Sequence, residues 1–442
     1  MRRALAAALA FILLAAAGAP AASREPLDIR VFARVGPPGQ PEPVAVGPDD
    51  RVYVGTNQLG HGDAGAPSKV FAFSTGGKLV REYELRGQPL GESHGIQGLA
   101  FDRDGLLYAL DRSAKPRVIA LNPATGEQSV YSRFRDVPPC GPVPGSPGKD
   151  CSDTRLDGPA GPDYATFSAA GDLYVTDIDQ ALIWKVPRGG GRPHVWFTDA
   201  RLESLYGPNG IQFMADGRTL LFVNTASNPA AGNPLTGRLY KVPVQPGGNP
   251  GDLTQVWESL PLDAPDGLAI ARSGNVYVAL AGSNQVVALS PDFVQLARTP
   301  ADPVANQAEE IPLDGPGSLA FLGNRLLVSN HSPIRGDPES WAILDVLAAE
   351  PGLALHYPRI STPRLLIKAR LSQSGRRVRV RVTRYLASRE IGVRRALIRA
   401  RGARARTNAS GKATLRLSRR HHAVGVRARK RGFVGASIWA RE

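Results

Sequence analysis

A short apolar hexamer recurs six times along this chain, each time followed by a Gly- or Asp-containing turn and a strand rich in Tyr, Val and Leu. The six copies are Pro41–Val46, Ile96–Phe101, Pro162–Phe167, Pro208–Phe213, Pro265–Ile270 and Pro316–Phe321. Their starts lie 55, 66, 46, 57 and 51 residues apart, a period typical of stacked supersecondary units. Third strands such as Arg117–Leu121 and weaker fourth strands such as Val195–Phe197 follow. Four strands in six units predict an all-β chain with a six-bladed β-propeller over residues 27–358.

A two-sheet sandwich built from hairpins is the alternative architecture, but sandwiches do not repeat one hexamer at this spacing. The strand Asp28–Val35 precedes the first hexamer. We expect it to pair with the last blade, since closing the ring removes an exposed edge. Helical signals are scarce, and Ala342–Glu350 suits either a helical turn or an outer strand of the sixth blade.

The C-terminal residues 363–442 follow a different pattern, in which apolar and basic residues alternate. Arg377–Val382 and Val424–Arg429 have a period of two, which predicts half-buried strands with arginines on the wet face. The segment predicts a small antiparallel β-sandwich, and Thr407–Ala413 resembles a strand and turn of bacterial Ig-like modules. A disordered basic tail is the alternative, although such regular aliphatic alternation argues against it.

Charge divides the chain at the same place. The last 80 residues hold 24 of the 54 Lys and Arg but only two of the 39 acids, a net charge of +22 that leaves −7 for the rest. Such asymmetry indicates two domains with different partners. We expect the basic domain to contact an anionic cell-envelope polymer, the alternative being a spacer with a charged surface. Specific nucleic-acid binding is not expected, because only three aromatic residues accompany the arginines.

The N-terminus has the features of an export signal. Arg2 and Arg3 precede an apolar run and an Ala19–Ala21 cleavage motif, which predicts a signal peptide over residues 1–21. The run is short for a transmembrane anchor, so we expect a bacterial protein that is secreted or associated with the cell envelope and has no membrane span after cleavage. An uncleaved anchor is the alternative. In an exported protein, Cys140 and Cys151 are expected to form a disulfide.

One column of the repeat carries the candidate chemistry. The second hexamer position is occupied by Glu42, Gln97, Asp163, Asn209, Asp266 and Gly317. The inner strands of a propeller line its axis, so these side chains are expected to converge at one mouth. Three acids and two amides at one point favour a hard cation, because uncompensated buried carboxylates are unfavourable. Gln97 and the nearby His94 are further pocket candidates, although a structural role for His94 is the alternative.

The column and its setting resemble the regucalcin/gluconolactonase/luciferin-regenerating-enzyme family. The segments that carry the resemblance are Gly171–Asp177, Gly207–Asn224 and Ala264–Ala279. The resemblance implies one divalent cation held by Glu42, Asn209 and Asp266 with Asp163 nearby. Ca²⁺ is favoured over Mg²⁺, Mn²⁺ or Zn²⁺. This family has Asn where the chain has Asp163, and its lactonases use the residue that corresponds to Asp266 as a general base.

The resemblance therefore favours a lactonase-type hydrolase that opens a small cyclic ester. The chemistry is consistent, since a cation can polarise a carbonyl while Asp266 activates water. The family's sugar lactonases also use basic and acidic substrate-binding side chains from the second and third blades, to which the sequence assigns no residue here. The competing hypothesis is a non-catalytic propeller that binds a ligand or a cell-surface partner and contains a structural cation.

Overall fold

The computed structural model describes residues 24–140, 151–152, 158–204, 206–226, 235–360, 365–387 and 389–441. Over these residues the chain is mostly β-strand, with a five-residue helix, α1 (Pro303–Gln307), and short 3₁₀ turns at Ala200–Leu202 and Pro338–Ser340. The all-β fold class is therefore confirmed. No helix in this part of the chain is long and apolar enough to cross a membrane. The predicted signal peptide, residues 1–21, lies outside the described residues.

The hexamers begin antiparallel units in which consecutive strands pair, from an inner strand to an outer one. After β1 (Ile29–Arg34) the first units are β2 (Gln40–Val46), β3 (Val52–Asn57), β4 (Lys69–Phe73), β5 (Leu79–Glu84); β6 (Gly95–Phe101), β7 (Leu107–Arg112), β8 (Arg117–Leu121), β9 (Gln128–Arg133); and β10 (Pro162–Phe167), β11 (Leu173–Asp177), β12 (Leu182–Val186), β13 (His194–Thr198). The next are β14 (Pro208–Phe213), β15 (Thr219–Asn224), β16 (Thr236–Pro243), β17 (Thr254–Pro261); β18 (Pro265–Ile270), β19 (Val276–Leu280), β20 (Gln285–Leu289), β21 (Gln295–Thr299); and β22 (Pro316–Leu322), β23 (Arg325–Asn330), β24 (Ala342–Leu347).

The strand before the first hexamer closes this ring, as predicted. β1 pairs antiparallel with β24 and so becomes the fourth strand of the last unit, with Ile29 opposite Val346. Each inner strand contacts the inner strand of the next unit, and β22 contacts β2. The segment that suited either a helix or a strand, Ala342–Leu347, is the strand to which β1 pairs.

The turn after each inner strand has the chemistry that the sequence predicts. A residue with φ between 60° and 102° stands at the equivalent place in every unit: Asp50, Gly105, Gly171, Gly217, Gly274 and Gly323. Glycine and Asp are favoured here because most side chains are strained at positive φ. Polar side chains complete the turns. In the fourth unit, Asp216 Oδ1 accepts hydrogen bonds of 2.8 Å from the backbone N–H groups of Arg218 and Thr219.

Apolar side chains fill the space between neighbouring units. The cluster between the second and third units contains Tyr108, Phe167 and Trp184, and the Tyr108 and Phe167 rings meet edge to face at 5.0 Å. Inner strands are therefore covered on both faces. This explains why the hexamers read as nearly continuous apolar runs instead of alternating patterns.

Asp102, in the turn after β6, is expected to make stability depend on pH. The side chain is fully buried, and burial, with the charge of Asp104, raises its pKa to about 6. The folded state therefore holds this proton more tightly than the unfolded state does. Its contribution to stability is fully present below about pH 4 and is lost as pH rises to about 6, a change of about 1–3 kcal/mol.

The Asp102→Asn variant should remove this dependence, because an amide keeps an acceptor for the N–H groups of Asp104 and Leu106 without the charge. We expect its stability relative to the wild type to rise between pH 4 and pH 8, as measured by urea unfolding at both pH values. A constant difference between the two proteins would contradict this account.

The linker between β24 and the basic segment, residues 348–360, covers the end of the ring opposite the predicted site. Arg272 N donates a 2.8 Å hydrogen bond to Pro351 O in the fifth unit. The Tyr357 hydroxyl donates to Val46 O at 3.1 Å in the first unit. The linker and the inner strands enclose a cavity of about 340 Å³. Beyond it, Arg384 of the basic segment binds Asp104 at 2.9 Å, which docks that segment against the second unit.

The basic segment is folded into strands. One sheet contains β25 (Leu366–Leu371), β26 (Arg377–Leu386), β27 (Arg389–Gly392) and β30 (Lys412–Arg416), and the other contains β28 (Leu397–Ala400), β29 (Ala403–Arg406), β31 (Ala423–Arg429) and β32 (Ala436–Arg441). Apolar residues of both sheets, including Val380 and Val426, share one cluster. The tail is thus not disordered over these residues, while its resemblance to Ig-like modules stays a prediction.

The predicted disulfide is also present. Cys140 Sγ and Cys151 Sγ are 2.07 Å apart. Cys140 N donates a 2.7 Å hydrogen bond to Ser152 O. The disulfide lies within the connection between β9 of the second unit and β10 of the third.

Candidate active site

Every inner strand carries a β-bulge at the predicted column. Its pairing with the second strand shifts register between two hexamer positions: Pro41/Val44, Ile96/Gly98, Pro162/Ala165, Pro208/Ile211, Pro265/Leu268 and Pro316/Leu319. The column residue lies inside the bulge in all six. A bulge leaves a residue out of the ladder and changes the direction of its side chain. The repeat therefore makes the residue at this position, a glycine in the sixth unit and a polar residue in the other five, leave the ladder at the same end of each inner strand.

Neighbouring units approach each other closely at these bulges. A methyl group added to Gly210 would lie 2.7 Å from the backbone oxygen of Asp266. One added to Gly317 would lie 3.0 Å from Glu42 Oε1 and 3.1 Å from His331 Nδ1. Glycine at these positions therefore allows the fourth unit to meet the fifth, and the sixth to meet the first.

The three column acids interact electrostatically in this mouth. Glu42 and Asp163 are 4% and 3% exposed. Asp266 is partly buried as a residue, but its Oδ1 atom is inaccessible. Burial, followed by the negative charge of Glu42, raises the pKa of Asp266 to about 7. Burial, followed by the charge of Asp266, holds the pKa of Asp163 well above its usual range. These acids are therefore close enough to oppose each other's ionisation.

Two buried oxygens in this mouth lack a partner among the described residues. The amide nitrogen of Asn209 donates to Thr225 Oγ1 at 3.0 Å, which leaves Asn209 Oδ1 unpaired. Asp266 Oδ1 is unpaired as well. Orphaned carboxylate and amide oxygens beside other acids are suitable donors for a hard cation.

Within the described ranges, no group of three or more His, Cys, Asp or Glu side chains is arranged to hold a metal ion. A cation at this mouth would therefore need the amide oxygen of Asn209, or ligands such as water, in addition to the acids. Gly317 supplies no side chain to the mouth.

His331 is a neighbour that the sequence did not assign to the site. It is 6% exposed, directly follows β23, and its Nδ1 pairs with Glu42 Oε2. Burial is the largest single effect and lowers the pKa of His331, but the charge and hydrogen bond of Glu42, together with the charges of Asp266 and Asp314, outweigh it, so the net direction is upward. The residue before it, Asn330, pairs with Pro316 at the start of the sixth hexamer, which places His331 at the mouth.

A basic and acidic pair lies beside the third column acid. Arg112 at the end of β7 binds Asp179 with 2.6 Å between Nη2 and Oδ2. The positive charge of Arg112 lowers the pKa of Asp163, against the stronger effect of burial. The side chains of Arg112 and Asp179 are 25% and 30% exposed. The second and third units therefore present an accessible charged pair next to the mouth.

The remaining pocket candidates lie in different settings. His94 is fully buried, and its ring nitrogens lie 2.7 Å from Glu92 O and 3.0 Å from Ala66 O, so neither is available to a ligand. Gln97 is 4% exposed and occupies its predicted bulge. Its Nε2 has no partner within the described part of the chain.

Tyr164 is the largest side chain at the third hexamer position, which elsewhere is Pro43, Gly98, Gly210, Gly267 or Ser318. Its hydroxyl would lie 3.1 Å from a methyl group on Gly267, so the ring reaches from the third unit to the fifth. The hydroxyl is buried without a well-aligned hydrogen-bond partner among the described residues. It is nevertheless near enough to Asp266 to lower the pKa of that carboxyl. Tyr164 therefore lies directly beside Asp266.

Comparison with known proteins gives one family match and several structural similarities. Solved structures similar to this chain include regucalcin, a calcium-binding protein from Agrobacterium tumefaciens (18% identity, 75% of this chain and 99% of that chain, TM-score 0.48). A gluconolactonase from Xanthomonas campestris has 14% identity over 73% of this chain and 88% of its own, with a TM-score of 0.45. A luciferin-regenerating enzyme has 11% identity over 74% and 98%, with a TM-score of 0.49. No curated protein sequence matches the chain.

The family match covers the part of the ring that contains two of the predicted cation ligands. Residues 199–308 match the SMP-30/Gluconolactonase/LRE-like region, and this segment includes Asn209 and Asp266 but not Glu42 or Asp163. Residues 199–308 of this chain are therefore an SMP-30/Gluconolactonase/LRE-like region, which agrees with the resemblance seen in the sequence.

Proposed function

We propose that this chain is an exported, cation-dependent hydrolase of a small lactone or related ester, built on a six-bladed β-propeller. The observation that carries the proposal is the buried, unpartnered carboxylate oxygen of Asp266, which lies at the β-bulge of its inner strand beside the column acids Glu42 and Asp163. The family match over residues 199–308 supports the reaction class.

The residues that would hold the cation are Glu42, Asn209 and Asp266, with Asp163 beside them. Oxygen donors of this kind favour Ca²⁺, with Mg²⁺, Mn²⁺ and Zn²⁺ as alternatives. When bound, the cation would act as a Lewis acid that polarises the carbonyl oxygen of the ester.

Asp266 is the proposed general base. Without a cation the pKa of Asp266 is raised to about 7, and a bound cation would lower it, so the ionised carboxylate could take a proton near neutral pH. It would remove a proton from a water molecule as the water oxygen bonds to the lactone carbonyl carbon. When the ring C–O bond breaks, the proton passes from Asp266 to the departing oxygen. One water is consumed, and the product is the open hydroxy acid.

Arg112 and Asp179 are the proposed contacts for the rest of the substrate. The guanidinium of Arg112 can donate several hydrogen bonds to substrate oxygens, and the carboxylate of Asp179 can accept hydrogen bonds from substrate hydroxyl groups. Together they suit the hydroxyl groups of a sugar-type lactone. Their place on the second and third units agrees with the location of substrate-binding side chains that the family resemblance implies.

Tyr164 is proposed as a positioning residue for Asp266, and Tyr164→Phe tests this role. Because the Tyr164 hydroxyl lowers the pKa of Asp266, its loss should raise that pKa. Less Asp266 would then be ionised at pH 7. We expect kcat at pH 7 to fall about tenfold with little change in KM, and the acid limb of the pH–rate profile to move to higher pH. A lower rate with an unmoved profile would contradict the positioning role.

The reaction class is tested by assaying the purified full chain against sugar and acyl lactones in the presence of each of the four cations. We expect turnover of at least one lactone. The second candidate function is a ligand-binding propeller with a structural cation. It is favoured by the Glu42–His331 pair, in which the imidazole offsets the negative charge of Glu42. Cation binding without turnover of any lactone would support that function and reject catalysis.

A further inference from the structure

Three arginines stand side by side on the outer face of the second C-terminal sheet. Arg399 of β28 is the direct cross-strand partner of both Arg404 on β29 and Arg427 on β31. All three are exposed, and none forms an ion pair with another described residue. Like charges placed directly opposite destabilise a sheet. This row is therefore unfavourable in the free protein and suited to a ligand that carries negative charge.

An exposed indole lies on the same face as this row. Trp439 of β32 pairs with Gly425 of β31 and is 64% exposed. A Cβ atom added to Gly425 would lie 3.9 Å from the Trp439 ring, so the indole lies over the glycine. Two residues before Trp439, Ser437 pairs with Arg427, which puts the indole and the arginine row on one side of the sheet.

The sequence alone did not reveal this combination, because Trp439 is distant along the chain from Arg399 and Arg404. The fold brings them into one groove, which Arg401 also lines. Guanidinium groups bind carboxylate, sulfate and phosphate groups, and a flat indole offers an apolar surface to a ring.

We propose that this arginine–tryptophan face binds an anionic polysaccharide, with sugar rings stacking on Trp439 and acidic groups on the arginine row. A polysaccharide presents rings and charges at regular intervals, which matches one aromatic surface beside three aligned cations. The disulfide indicates an oxidising compartment, where an envelope or extracellular glycan is available. Nucleic acid carries similar charges, so the test also measures binding of single-stranded DNA.

The outer face of the other C-terminal sheet provides a matched control. Arg370 lies opposite Arg379, and Arg377 lies opposite Arg416, again with like charges paired and exposed. The aromatic residue of the described strands on this face, Tyr385, lies six residues from Arg379 at the other end of β26, so no aromatic side chain neighbours these pairs. If positive charge alone attracted the ligand, the two faces would bind equally.

The experiment measures binding of the full chain to immobilised polygalacturonate and dextran sulfate, with neutral dextran as a blank. We expect binding to both anionic polymers that weakens as salt rises. The variant Arg399→Gln/Arg404→Gln/Arg427→Gln should bind about tenfold more weakly, and Trp439→Ala about fivefold more weakly, whereas Trp439→Phe should keep most of the affinity. The control Arg370→Gln/Arg379→Gln/Arg416→Gln should lose less than about threefold.

Three results would overturn the proposal: equal losses in the two arginine variants, unchanged binding by Trp439→Ala, or tighter binding of single-stranded DNA than of either polymer. A preference for polygalacturonate or for dextran sulfate identifies the acidic group as carboxylate or sulfate. The substituted side chains are exposed and the arginine rows are unfavourable in the free protein, so no variant should melt appreciably below the wild type and the arginine variants should melt at or above it. Lactone turnover should be unaffected, which separates this proposal from the hydrolase proposal.

Discussion

Asp266→Asn is expected to lower kcat/KM for lactone hydrolysis about 10³-fold, within the range for loss of a general base. An amide keeps the shape of the side chain and one oxygen but cannot accept the proton of the attacking water. Steady-state kinetics over a range of pH measures the effect. Any residual activity should lack the acid limb that the ionisation of Asp266 gives to the wild-type pH–rate profile.

Asp216→Asn is the matched control for this substitution. Asp216 is an exposed Asp in the turn after β14 that accepts hydrogen bonds from backbone N–H groups, which an amide oxygen can also do. We expect it to keep wild-type turnover. Equal kinetics for the Asp266 variant and the wild type would remove Asp266 from the proposed mechanism.

Trp184→Ala is expected to lower the free energy of unfolding by about 4–6 kcal/mol. Trp184 is fully buried between the second and third units, where its ring lies 5.8 Å from that of Phe134. Its Nε1 donates a 2.8 Å hydrogen bond to Asp177 Oδ2. Truncation therefore creates a cavity and removes a donor from a buried carboxyl. Urea unfolding followed by circular dichroism measures the loss.

The same substitution should also impair the site. Asp177 Oδ1 accepts a 3.0 Å hydrogen bond from Gly161 N, two residues before Asp163. Trp184→Phe keeps most of the packing and should lose only about 1–3 kcal/mol, the cost of the unpaired carboxyl. Trp439→Ala, at an exposed indole, should change stability by less than about 0.5 kcal/mol. A loss below about 1 kcal/mol for Trp184→Ala would contradict this view of the core.

The column could be predicted from the sequence because it belongs to a repeat. Asp266 and Asn209 occupy the same position of hexamers that align without gaps, so one alignment of the chain with itself finds them. The bulge at that position was not predictable, because it appears only as a shift in pairing with the second strand. The bulge is what turns Asp266 out of the ladder and makes the position suitable for a ligand.

The neighbours of the column could not be predicted, because contacts across the ring depend on how units face each other. His331 is 289 residues from Glu42 along the chain, and they meet only when the sixth unit packs against the first. Tyr164 stands next to Asp163 in the sequence but acts on Asp266 from across the axis. The repeat identifies the column but not His331 or Tyr164, because each of these two residues occurs in only one unit.

The basic segment illustrates the same limit. Its alternating pattern predicted strands with exposed arginines, and the structure has them. Which arginines become neighbours depends on strand order, because β31 lies between β28 and β32 in the second sheet. That order places Trp439 beside the arginine row, a contact that the spacing along the chain does not indicate.

The most direct test of the central claim is lactone hydrolysis by the full chain before chelation, after removal of divalent cations, and after Ca²⁺ is restored. The claim predicts turnover that chelation abolishes and Ca²⁺ restores, together with a Ca²⁺-dependent rise in melting temperature that is reduced in Glu42→Gln. Turnover that is indifferent to chelation, or the absence of turnover with every cation and lactone, would contradict it.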